Sequence, residues 1–304
     1  MEQAPNNWSK WGPNDQVGTL NYITPDVIVH AAGLVRQGKV FNLGLPIGPG
    51  HPCGTARDGR IYRYMISTAQ GAGQSPGVAE DHLFGEVHGN SHWDGLAHYH
   101  VDGLMYNGFD AEEWVNWNGA RRDGVHHAAD KIVTRGLLID IAAFKGVDIL
   151  APHTLITVSD IEGALERQNV GARSGDAILI YTGWMRTWYE QGKRVFWEGS
   201  PGIGWEVSQW LKQIEASVVT MDAINIEVQP PEPQSQEAVG IPGCGLPIHV
   251  ELLRNQGMMM GDNGNLEALA MDCREDGIYE CLFVGPPLNL TNGTGSPMNP
   301  QAVK

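Results

Sequence analysis

The run Ala177–Tyr181 (AILIY) is uniformly apolar in body and is closed off by Gly175 and Gly183. A strand this short with no polar face has no side to turn to water. It must be covered on both faces, as inner strands of parallel or mixed sheets are. Residues 136–141 (GLLIDI), 40–45, 279–284 and Val218–Met221 read as further strands. Helical patterns lie between them. Thr24 caps a helix that begins at Pro25, with an apolar pattern running to Val35 and a stop at Gly38. Thr157-Val158-Ser159-Asp160 opens another that ends near Gln168, and residues 204–216, 248–256 and 266–271 suit helices. Strands and helices alternate, which predicts an α/β or α+β architecture. With 304 residues, 42% of them hydrophobic, the chain can bury a sizeable core as one large domain or two closely packed lobes.

The 39 glycines are spread along the chain, a pattern of tight connections. Residues 48–59, 71–77 and 229–236 (QPPEPQSQ) read as irregular loops of the kind that cover or carry sites. Acidic residues outnumber basic ones 35 to 20, a formal charge of −15 that repels phosphate backbones and anionic lipid. Nucleic acid and membrane surfaces are therefore not expected partners. The polar first twelve residues do not resemble a secretory signal, and no apolar run is long enough to span a bilayer. Cys53, Cys244, Cys273 and Cys281 form no C-x-x-C pair, which suits free thiols and a cytoplasmic location.

Chemistry concentrates in residues 86–100, EVHGNSHWDGLAHYH. His88, His92, Asp94, His98 and His100 are separated by even numbers of residues, so on an extended strand they would share one face. On a helix His88 and His92 would share one face, and Asp94 and His98 another. Gly89 and Gly95 argue for a segment that bends around a site. Imidazole and carboxylate are donors for zinc, manganese or iron. Three such donors leave positions open for water and substrate, and a bound ion lowers the pKa of water. A neighbouring free histidine can then accept or return a proton.

The pattern His88-x-x-x-His92-x-Asp94-x-x-x-His98 resembles the signature of the cyclase and kynurenine formamidase-like metal-dependent hydrolases, in their longer branch. The resemblance extends to WGPNDQVGTLNYITPD, AHYHVDGLMYNG, TRGLLIDI, GDAILIYTGW and the closing GTGSPMNP. Members of that family hydrolyse aryl formamides, the cyclic amide of isatin, or lactones such as trans-dienelactone. The resemblance implies a mixed-sheet, swivelling β/β/α-type α/β fold in one domain over residues 1–304, assembled as a homodimer or homotetramer. It implies metal donors at His88, His92 and Asp94, with His98 as general acid/base. A second ion would draw on His249 and a carboxylate that falls at Asp262, one residue later and one methylene shorter than the family's glutamate. One tightly held zinc or manganese ion is therefore expected, with a second position open. The implied reaction is hydrolysis of an amide or lactone bond in a small cyclic or aromatic substrate. The alternatives are a metal-dependent cyclase or dehydratase, and a metal-binding protein without catalysis.

Other residues carry weaker signals. His126 and His127 read as a solvated loop in preference to a pocket wall. Asp222 and Glu227 sit on or after a strand, where they either reach the metal, support its ligands, or merely end the strand. Most of the ten tryptophans read as packing, but Trp93, between two expected ligands, is expected to touch substrate. Gly293-Thr294-Gly295-Ser296 lacks the context of a phosphate loop, and no G-x-S-x-G elbow occurs.

Overall fold

The computed structural model describes residues 6–48, 50–52 and 80–304, and the backbone of 62–67. Among the described residues, nine strands join one mixed sheet. In chain order they are β1 (Val40–Asn42), β2 (His92–Asp94), β3 (Val133–Asp140), β4 (Ala177–Tyr181), β5 (Val218–Met221), β6 (Met259–Asp262), β7 (Glu280–Val284), β8 (Gly295–Pro297) and β9 (Gln301–Val303). Their spatial order is β1-β9-β7-β3-β4-β5-β6-β2-β8. The inner strands β3, β4, β5 and β6 run parallel, and the flanking strands pair antiparallel.

The apolar run of β4 lies at the centre, all five residues buried. Its alternate side chains enter two different cores. Ile178 and Ile180 join Leu137, Ile139, Val219, Met221 and Met260 on one face. Ala177, Leu179 and Tyr181 join Leu138, Val218 and Met259 on the other. The period of two along each inner strand thus builds one core above the sheet and another below it.

Helices cover these cores. α1 (Pro25–Ala32) starts as expected, with the Thr24 hydroxyl accepting from Val27 N–H. It stops at Ala32, short of Val35, because Gly33 follows and only Ala31 of the helix is buried, so packing gives little reason to continue. α2 (Val158–Gln168) carries a full capping box between Thr157 and Asp160. α3 is Trp205–Gln213. The short α4 (Pro247–His249) passes into a π-helical stretch, Val250–Gln256, where an ordinary helix was expected. α5 (Glu267–Asp276) runs past the expected end at residue 271 to a left-handed Gly277.

Two further expectations change. The strand at 40–45 pairs only through Asn42. Leu43 and Leu45 then bend into the core, with Leu45 N–H donating to Ser91 Oγ at 2.8 Å. Residues 229–236 are not wholly irregular, since Pro233 begins a helix, Pro233–Val239, at the one helical position that suits proline. Most of the loop expected at 48–59, all of that at 71–77, and Cys53 lie outside the described residues. Cys244, Cys273 and Cys281 are buried free thiols. No described helix is long and apolar enough to cross a membrane.

Candidate metal centre

β2 is wedged between β6 and β8, and its three residues are all buried. The strand period puts His92 and Asp94 on one face and Trp93 on the other. In the β2–β6 register Asp94 stands opposite Met260, Trp93 opposite Gly261, and His92 opposite Asp262. Directly opposed residues share a face, so Asp262 joins His92 and Asp94 despite its shifted place in the sequence.

Trp93 is the correction. Its indole is fully buried, donates from Nε1 to Gly285 O at 2.8 Å and meets Phe283 edge-on, with the ring centroids 6.4 Å apart. It does not line the cavity described below. Gly261 makes room for it, because a Cβ there would lie 2.8 Å from Trp93 Cζ3.

Asp94 is the hub. Its Oδ1 lies 3.3 Å from His92 Nε2, 3.6 Å from His88 Nε2 and 3.8 Å from His98 Nε2, and its Oδ2 lies 3.6 Å from His249 Nε2. His92 Nε2 is also 3.8 Å from Asp262 Oδ2. Each imidazole arrives by its own route. His92 Nδ1 donates to Asn90 O at 2.7 Å, which turns Nε2 toward Asp94. His88 precedes the strand, and a Cβ at residue 295 would lie 2.3 Å from its Nε2, so β8 must open with Gly295. The turn after the strand, closed by His98 N–H on Gly95 O, brings back His98, whose ring stacks on His88 at 4.0 Å between centroids. His249 ends α4, and its Nδ1 lies 2.5 Å from Glu227 Oε1. Ser91 bonds away from the hub, its hydroxyl donating to Asn263 O at 2.6 Å.

The electrostatics are those of imidazoles and carboxylates packed closely together. Burial alone would raise Asp94, but His98, His92 and His249 hold its carboxyl well below the usual carboxylate range. Burial lowers His88 to about 4 and also lowers His98, with Asp94 opposing both shifts. Burial works against protonation of His92 and His249 too. The Asp94 carboxylate raises the first to about 9, and Glu227 with Asp94 raises the second to about 9. Burial pushes Asp262 up to about 7.

These residues fit a divalent cation. His88 Nε2, Asp94 Oδ1 and Asp262 Oδ1 are buried polar atoms without a hydrogen-bond partner, which an interior rarely tolerates. The donors are nitrogen and carboxylate oxygen, the set that zinc, manganese and iron take. Two overlapping groups, His88–Asp94–His98 and His92–Asp94–Asp262, each have donor atoms within 4.8 Å of one another. His98 falls in one group with His88 and His92 in the other with Asp262, while Asp94 is common to both.

The cluster lines a cavity of about 700 Å³. Trp197, Ile224, Leu246 and Pro230 supply apolar wall, and Ser200 and Asn225 supply polar groups. His100 is exposed and outside this lining. His126 and His127 lie in a short 3-10 turn, with His126 Nδ1 accepting from Asn292 N–H at 3.1 Å, and neither lines the cavity. Asp222 faces Thr182, not the hub. Sequence reasoning missed Gly261 and Gly295. For Gly295 the one signal was its place in the GTGSPMNP motif.

The cyclase family model matches residues 25–228. A crystal structure described as a novel cyclase is 33% identical, covering 99% of this chain and 100% of its own, with a TM-score of 0.88. Isatin hydrolase A from Labrenzia aggregata, bound to benzyl benzoate, is 20% identical over 90% of this chain and 94% of its own, with a TM-score of 0.62. A structure described as a potential metal-dependent hydrolase with cyclase activity is 18% identical over 87% of this chain and 98% of its own, with a TM-score of 0.53. No curated protein matches.

Proposed function

Because this chain belongs to the cyclase family, we propose that it is a metal-dependent hydrolase that opens or cleaves an amide or lactone bond of a small cyclic or aromatic substrate. The observation that carries the reading is the Asp94 hub, four imidazoles and a second carboxylate gathered in the lining of a cavity large enough for such a molecule.

His88, His92 and Asp94 would hold the first ion, and His249 and Asp262 would draw a second. We favour one tightly bound zinc or manganese, because the Asp262 carboxylate is a methylene shorter than the family's glutamate. The chemistry a divalent ion supplies when bound is polarisation of a carbonyl and a lowered pKa for water. The chain supplies the rest. The apolar wall holds the substrate ring and excludes bulk water from the carbonyl. His98 is the most open of the hub imidazoles, its side chain 32% exposed, and burial lowers its pKa, so its Nε2 is free to take a proton at neutral pH. Water adds to the carbonyl carbon, the C–N or C–O bond breaks, and the proton taken by His98 Nε2 passes to the leaving nitrogen or oxygen. The product is a carboxylate with a free amine or hydroxyl.

The test is a panel of cyclic amides, aryl formamides and lactones, each followed by product analysis with chelated and with zinc- or manganese-loaded protein. Ring opening that depends on the ion supports the reading. Ring closure or loss of water from an open-chain substrate would favour a cyclase or dehydratase. Ion binding without turnover of any panel member would favour a binding protein. A small-molecule substrate, a homodimer or homotetramer, and a cytoplasmic location are part of the same proposal, and light scattering of the purified protein tests the assembly.

A further inference from the structure

Glu227 is fully buried, and among the described residues the hydrogen bonds it accepts come from one short segment. Its Oε1 lies 2.5 Å from His249 Nδ1 and 3.3 Å from His249 N, and its Oε2 lies 3.2 Å from Ile248 N. Burying a carboxylate is costly unless donors meet its lone pairs, and here three N–H groups of two adjacent residues do so. Its own backbone is clamped. Ile203 N–H donates to Ile226 O at 2.9 Å and Val228 N–H donates to Ile203 O at 3.1 Å. A Cβ at Gly202 would lie 2.2 Å from the Glu227 carbonyl carbon, so only glycine lets the strands approach this closely. With Nδ1 committed to Glu227, the nitrogen turned to Asp94 Oδ2 is Nε2, at 3.6 Å.

We propose that Glu227 is a positioning residue for the metal centre: its carboxylate holds the His249 ring so that Nε2 faces the ion, and ion affinity depends on that hold. The proposal rests on the metal-dependent reading above. Glu227 touches neither substrate nor ion; it acts through His249. An outer carboxylate on a ligating histidine fixes the ring and makes its free nitrogen a better donor, and losing one typically weakens ion binding about 10–100-fold.

The experiment is a zinc titration of the wild-type protein, Glu227→Gln, His249→Ala and the double variant, together with nitrogen NMR of the metal-free protein. Glu227→Gln should weaken zinc binding by about 10–100-fold. In the His249→Ala background the same change should weaken it no further, because both act on one donor. NMR should find a hydrogen-bonded proton on His249 Nδ1 in the wild type. Equal zinc affinity in the wild type and Glu227→Gln, or fully additive losses in the double variant, would overturn the role of Glu227. Should Glu227→Gln fail to fold, the wild-type spectrum decides, since absence of the Nδ1 proton overturns the proposal. A wild type that binds no zinc would instead overturn the metal reading itself, which keeps the two failures apart.

Discussion

Asp262 stands directly across the β2–β6 ladder from His92, its Oδ2 3.8 Å from His92 Nε2. A carboxylate one residue late and one methylene short along the chain is brought to the hub by strand register. Register, and not linear spacing, decides which residues share the face that carries the chemistry.

His98 stands farthest from Asp94 of the hub imidazoles, its Nε2 3.8 Å from Oδ1, yet it shares a donor group with His88. As a proton carrier, His98→Ala should retain the ion and lose about 10²–10⁴ in kcat/KM. Because a base must be neutral to act, wild-type activity should fall as pH drops through its pKa, which burial lowers from the ordinary histidine value. Metal analysis beside the rate measurement separates the roles: loss of the ion in His98→Ala makes it a ligand.

Gly295→Ala probes the space around His88. The added Cβ would fall 2.3 Å from His88 Nε2, and the nearby Trp93 O at 2.7 Å leaves it no retreat. The variant should fold and bind the ion at least about tenfold more weakly, the scale of a disturbed ligand geometry. Calorimetric titration checks this, and unchanged affinity would show that His88 is not held where the ion needs it.

Trp93→Phe should cost stability and leave KM nearly unchanged. The variant keeps most of the ring but strands Gly285 O without its indole donor, a loss of about 1–3 kcal/mol for a buried acceptor. Gly261→Ala should also destabilise, by about 1–3 kcal/mol, as an overpacked contact against Trp93 and Thr220. Denaturant melts read both. A large KM change in Trp93→Phe at unchanged stability would return Trp93 to the substrate wall.

These contrasts show which parts of the molecule the chain discloses locally. β4 was legible because burial on both faces leaves a uniform apolar run with glycines at its ends. The start of α1 and the capping box of α2 were legible because caps are local hydrogen bonds. The even-numbered separations of His88, His92, Asp94 and His98 pointed to the hub, yet the same period sends the intervening Trp93 to the opposite core. The short strand β2 gave no such sign, since three residues between β6 and β8 owe their conformation to partners more than a hundred residues away. The π-helical turn after His249 and the hold of Glu227 on that ring are likewise products of tertiary packing, which hydrophobic periodicity does not encode.

Asp222 should make stability depend on pH. It is fully buried, and burial lifts its pKa to about 7, against the opposing hydrogen bonds from Thr182. Its folded pKa therefore lies above the unfolded value of about 3.9. The folded state holds the proton that the unfolded state has released, so the contribution is complete below about pH 4 and is lost as pH rises through about 7. The stability of the wild type relative to Asp222→Asn should fall between about pH 4 and pH 7 and level off above, the window between the unfolded and folded pKa. Denaturant melts of both proteins across that range test it, and parallel curves would contradict it.

The most direct measurement is the metal content of wild type and Asp94→Ala by elemental analysis after mild purification and again after incubation with zinc or manganese. Asp94 touches every imidazole of the hub, so its removal takes away the group the donors share. The expected result is at least about one divalent ion per wild-type chain and none retained by Asp94→Ala, consistent with a site of three or more protein ligands. A wild type that stays metal-free after incubation, or an Asp94→Ala variant that loads as fully as the wild type, would contradict a metal centre built on Asp94.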